Sequence, residues 1–233
     1  MPPKEIVQRE FEDTITPWLE SLGFEYVRSR FSYKRKVEEF EQRISVTLSH
    51  RNSAETINFW SAFNVASRKY NQWLKTQRRP RFTGYLGGCA DWNVPGWRAD
   101  SDRSTHFDFG NPTTRPQIIA EWRRRCEAAG IPYLNALSSW EGAADDLLRC
   151  CWHYDRAADF FLIAGQPDRA LRALAEGVRS LDQQDFSWTD KSHPILIAKK
   201  KRQAQDRDSK RQVLEDRIHD LRNSEPRDER EPE

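Results

Sequence analysis

Charge of one sign is scarce in this 233-residue chain: 38 Lys and Arg stand against 36 Asp and Glu, a net of +2. So small a surplus gives no global pull toward nucleic acid or an acidic membrane. Long apolar runs are missing too. FFLIA (160–164) is among the longest, far short of a membrane span. The opening MPPKEIVQREFED has no apolar core of signal-peptide length. A soluble, cytoplasmic chain is expected, with Cys89, Cys126, Cys150 and Cys151 as reduced thiols. Catalytic signatures are also lacking: no G-x-S-x-G elbow, phosphate-binding loop, dinucleotide glycine fingerprint or HExxH occurs. The five His are dispersed, none within a recognisable catalytic Ser or Cys motif, and no cofactor is expected.

What is present is aromatic and charged. Hydrophobic residues make up 37% and charged residues 32%, which suits a real core carrying a solvated extension. Nine Trp and twelve Phe strengthen that core, because each buried ring removes a large area from water.

The hydrophobic pattern divides the chain. Val7, Phe11, Ile15, Trp18 and Leu22 put an apolar face on an opening helix, which Pro17 should kink and Gly23 should end. FSYKRKV (31–37), RISVTLSH (43–50) and TINFWSAFNVAS (56–67) then alternate as antiparallel strands with one face buried. A short helix at 68–76 and a strand at 81–86 follow. Thr114 to Gln117 and Ser138 to Glu141 have capping-box spacing. Between them Ile118, Ile119, Trp122 and Cys126 form a buried stripe, stopped by Gly130 and Pro132. RAADFFLIAGQPDRALRALAEGVRSL (156–181) reads as a single tetratricopeptide-like hairpin with Leu171, Leu174, Val178 and Leu181 on one face. From Lys199 the chain is charged, with Val213, Leu214, Ile218 and Leu221 as its one apolar cluster, and NSEPRDEREPE (223–233) is expected to be disordered.

The sequence therefore predicts an α+β fold: an antiparallel meander covered by the N-terminal helix (1–137), a helical part with the hairpin (138–198), and a charged helical extension (199–233).

The stretch GGCADWNVPGWRADSDRSTHFDFG (87–110) holds the best candidate site. Arg81, Tyr85, Trp92, Trp97 and Arg98 combine the residue types enriched at interface hot spots. The structural alternative has both Trp folding over the sheet edge and Arg98 pairing with Asp100 or Asp102. His106 and Asp108 alternate, so a strand would aim both at one face. With Asp91, Asp100 and Asp102 they make a metal-dependent hydrolase an alternative, set against Asp side chains that merely bond their own loop. In RCCWHYDR (149–156), a helix would pair Cys150 with His153 and Cys151 with Asp155, although neighbouring Leu147, Leu148 and Trp152 favour a core role. The basic runs Arg78, Arg79, Arg81 and Lys199, Lys200, Lys201, Arg202 support a nucleic-acid alternative, against the plainer reading as solvated faces.

LESLGFEYVRSRFSYKR, RFTGYLGG…DW and GIPYLNALSSWEGAADDLL occur in an order that resembles the bacterial domain-of-unknown-function family 4304 across roughly residues 5–175. The resemblance implies a cytoplasmic bacterial protein with an α+β fold, and it carries no catalytic residue across. The split of the Trp pair into Trp92 and Trp97 departs from that family's pattern. The leading functional expectation is a non-enzymatic module that binds a protein, immunity-like or accessory to a toxin or defence system.

Overall fold

A computed structural model describes residues 2–53, 55–97, 106–150, 153–183 and 194–224. They form two compact units, Met1–Ala143 and Ala144–Glu233. The fold is α+β, with the strands in the first unit and a helical second half.

The first unit opens with α1 (Pro3–Glu10), a widened π turn (Phe11–Ile15) and α2 (Thr16–Ser21) in one continuous run. Val7, Phe11, Ile15 and Leu19 are fully buried, four residues apart at every step. A regular helix would drift by about 40° at each such step. The π turn, closed by the Thr16 N–H on the Phe11 carbonyl, absorbs part of that drift. It also accommodates Pro17, whose ring would otherwise press on the carbonyl four residues back. The expected stripe is corrected accordingly: Leu19 takes the buried position, while Trp18 and Leu22 stay half-buried. The same device recurs between α4 (Arg115–Arg125) and α5 (Ile131–Leu137), where a π turn at Cys126–Gly130 precedes Pro132. Gly130 and Pro132 thus carry the helix onward instead of stopping it.

Gly23, at φ 83°, ends α2 as expected. Its N–H bonds the Glu20 carbonyl and that of Phe24 the Leu19 carbonyl, with Leu19 and Phe24 both buried at the turn. The sheet follows as β1 (Glu25–Val27), β2 (Ser32–Val37), β3 (Phe40–Leu48) and β4 (Asn58–Ser67), each antiparallel to the next. After α3 (Arg68–Thr76), β5 (Gly87–Ala90) and β6 (Phe107–Asp108) share the remaining edge of β4, end to end. The strand expected at 81–86 is therefore displaced to Gly87–Ala90. The cause is steric. At Gly88 (φ 134°) a Cβ would lie 2.2 Å from the Phe63 carbonyl oxygen, so only a glycine there can approach β4 this closely.

Burial alternates along β3 and β4. On the covered face, Phe11 sits 5.5 Å from Phe59 and 5.0 Å from Trp122, Trp122 bonds Ser61, and Trp140 meets Phe40. Ser45, Trp60, Ala62, Asn64 and Ala66 on the other face remain half-exposed, and Thr47 is exposed.

Helix starts differ from the predicted caps. Thr114 makes no side-chain cap; Asn111 caps the turn before α4 by accepting from the Thr113 N–H. At α6 (Trp140–Arg149) the cap is Ser139, one residue later than the spacing implied, accepting from the Gly142 N–H.

In the second unit, α7 (Tyr154–Ile163) and α8 (Pro167–Gln183) form the expected hairpin, turning at Gly165 (φ 73°). Its buried line is Ala170, Ala173, Leu174 and Gly177. Leu171, Val178 and Leu181 are half-buried instead, because the helices approach through small residues: a Cβ on Gly177 would stand 2.8 Å from Tyr154 Cβ. The last helix, α9 (Pro194–Ser224), packs on α8 and buries Leu214. Arg217 on α9 reaches the fully buried Asp159 carboxylate at 2.6 Å. Of the segment expected to be disordered, Asn223 and Ser224 are helical, and 225–233 lies outside the described residues.

Candidate functional site

The edge of β4 builds the candidate site. Between the stretches that pair with β5 and β6, the Ser61 N–H has no strand partner on that side; Asp91 supplies one. Its carboxylate, 2% exposed, accepts from the Ser61 N–H at 2.7 Å. Ser61 Oγ in turn accepts from Trp122 Nε1 at 2.8 Å. Asp91 thus fixes the short turn Asp91–Asn93 against the sheet, and the neighbouring Trp92 is placed on the open side. There Trp92 lies 6.2 Å from Trp60 and 6.1 Å from His106, and His106 meets Trp60 edge-on at 5.1 Å.

Trp97 goes the other way. At 3% exposure it packs on Phe63 at 5.2 Å and Phe107 at 6.4 Å. The expectation that both Trp serve as contact residues is corrected: Trp97 is core, and Trp92 alone keeps an open edge. Trp60, absent from the sequence reading, joins it. Its signal was legible, since a Trp sits out of phase with Ile57, Phe59, Phe63 and Val65. Arg81 and Tyr85 stand elsewhere, just before the point where β5 meets Val65. About five strand residues, or roughly 17 Å, separate that point from Trp60. Tyr85 is 42% exposed. Arg98 lies outside the described residues, as do Asp100, Asp102 and Cys151.

Beside the aromatic cluster, Phe107, Ile118, Glu121 and Arg125 help line a groove of about 600 Å³ that also borders Trp92 and His106. Glu121 accepts from Arg124 and, at 2.6 Å, from Arg125. The Arg124 bond, with Arg125 second among the favourable causes, holds the Glu121 carboxyl down at about 2. The Arg125 guanidinium also lies over the Phe107 ring at 5.6 Å.

Of the candidate metal ligands, Asp100 and Asp102 lie outside the described residues, and His106 and Asp108 have other contacts. Asp108 Oδ1 accepts from the Gly110 N–H, a loop-ordering bond, and His106 leans on Trp60. Among the described residues no three His, Cys, Asp or Glu side chains gather where they could hold an ion. Cys150 and His153 are likewise not paired on one helix. Cys150 follows the end of α6, and His153, at φ 56°, precedes α7. Burial, then Arg156, lowers the His153 imidazole. Burial raises the Cys126 thiol.

The basic runs are dispersed. Arg78 occupies a left-handed turn at φ 52° after α3, Arg79 closes that helix through its N–H on the Leu74 carbonyl, and Arg81 is exposed beyond it. Lys199, Lys200, Lys201 and Arg202 belong to α9 in the other unit. No helix among the described residues is long and apolar enough to cross a membrane. No family model matches the chain, and neither a curated protein nor a solved structure matches it.

Proposed function

We propose that this chain is a non-enzymatic binding module that engages a protein through the open face of its sheet, anchored by Trp60 and Trp92. One observation carries the reading: two indoles stand half-exposed on that face, Trp60 from β4 and Trp92 from a turn fixed by the buried Asp91 carboxylate, while Trp97 and Trp122 enter the core. Half-buried Trp beside a polar rim is the composition from which interface hot spots are made. The described acidic groups around the cluster serve the fold: Asp91 holds Ser61, Asp108 holds Gly110, and Glu121 holds two arginines. A cytoplasmic, accessory or immunity-like setting fits the free thiols of Cys89, Cys126 and Cys150.

The test is quantitative affinity capture from the cells that make the protein, comparing wild type with Trp60→Ala and Trp92→Ala, each confirmed as folded by circular dichroism. A protein retained by wild type and lost by both variants supports the reading. Identical retention by all three removes it.

A further inference from the structure

A second feature of the sheet lies at the end remote from Trp60. A depression of about 880 Å³ is bordered by Lys34, Arg35, Lys36, Arg68, Lys69 and Arg81. Against these six cations it presents three carboxylates, Glu25, Glu39 and Glu41. The local surplus of +3 exceeds the +2 of the whole chain. Three of the cations are engaged. Lys34 pairs with Glu25 at 3.2 Å and Lys69 with Glu39 at 3.0 Å, and Arg35 donates to Gln42 and the Leu22 carbonyl. Lys36, Arg68 and Arg81 are exposed and have no ion-pair partner among the described residues. Lys36 lies across from Glu41, but that carboxylate is taken by Arg43 at 2.7 Å.

One local arrangement raises the positive potential further. Arg68 and Lys69 occupy the first turn of α3, which holds no acidic residue, so they add to the positive end of its dipole instead of offsetting it. Local charges that work against the fold are expected where a surface serves binding.

We propose that this saddle receives the acidic surface of a protein partner, with carboxylates on Lys36, Arg68 and Arg81. The inference rests on the protein-binding reading above and names the chemistry of that partner. The interleaved carboxylates decide against a nucleic-acid strand. Glu25, Glu39 and Glu41 would repel a continuous rail of phosphates, whereas a protein surface can set its acidic residues only where the unpaired cations stand. The chain's small net charge likewise gives no long-range steering toward a polyanion.

The probes are a synthetic Glu-Ser repeat peptide and single-stranded oligothymidylate of the same net charge, titrated into the full chain and followed by backbone amide shifts. The peptide should bind the tighter of the two, with the largest shifts at Lys36, Arg68 and Arg81. The double variant Arg68→Ala/Arg81→Ala should weaken it about tenfold. Arg81→Glu, which lowers the local charge by the same two units, should weaken the peptide comparably and should gain affinity for a Lys-Ser repeat. Tighter binding of oligothymidylate would overturn the proposal in favour of nucleic acid. Peptide binding that is absent, or unchanged in the variants, would overturn it outright. This readout uses no cellular partner, so it can fail while Trp60-dependent capture stands, and the converse holds.

Discussion

The two faces of the one sheet are built from opposite materials. The covered face gathers Phe11, Phe59, Phe63, Trp97 and Trp122 into edge-on contacts and leaves each nearly inaccessible. The open face carries Ser45, Ala62, Asn64 and Ala66 along its middle, an indole pair at one end and unpaired cations at the other. Since both faces are read from the same strands, residue by residue in alternation, the contrast reflects what each face meets. One meets the rest of the unit. The other stays half-exposed among the described residues.

That contrast gives graded expectations. Trp122→Ala strikes the covered face hardest, removing the ring that meets Phe11 and the donor that serves Ser61. Denaturant unfolding should show a loss of about 3–5 kcal/mol. Gly130→Ala acts by overpacking, because its Cβ would stand 2.5 Å from Phe63 Cε1. A loss of about 1–3 kcal/mol is expected in the same assay. On the open face, Trp60→Ala should cost about 1 kcal/mol or less, and yet abolish partner capture. If Trp60→Ala proves as damaging to stability as Trp122→Ala, the two faces are not different in kind.

Two chemical readouts sharpen the picture further. The Glu121 carboxyl is held down at about 2, chiefly by Arg124. A depressed carboxyl contributes stability above its unfolded pKa of about 4.3. That contribution is lost as pH falls toward about 2. Wild type and Glu121→Gln should therefore differ in Tm at neutral pH and converge as the pH is lowered through that window. Cys126 is buried, with its thiol pushed up. Alkylation followed by mass mapping should modify Cys89 and Cys150 well before Cys126.

Much of this was legible in the sequence, and the failures have physical causes. The alternation of Ile44 and Val46 against Phe59, Phe63 and Val65 marked the strands and their covered face, because period two has few competing explanations. Leu19 was missed because a π turn changes the period locally, and nothing in a hydrophobic pattern announces it. Pro17 and Pro132 were the available clues, each two residues past a widened turn. Asp91 read as a candidate ligand because its true role depends on a gap in strand pairing that only topology reveals. Trp92 and Trp97, equal in composition, part company for the same reason: one is tied to the open side by Asp91, while the other falls beside Gly130, where no side chain fills the space.

The central claim is that the open face of the sheet is the contact surface. Hydroxyl-radical footprinting of the captured complex against the free protein tests it most directly. Protection should appear at Trp60 and Trp92. Equal oxidation of the pair in both states, with protection confined to α8 and α9, would contradict it.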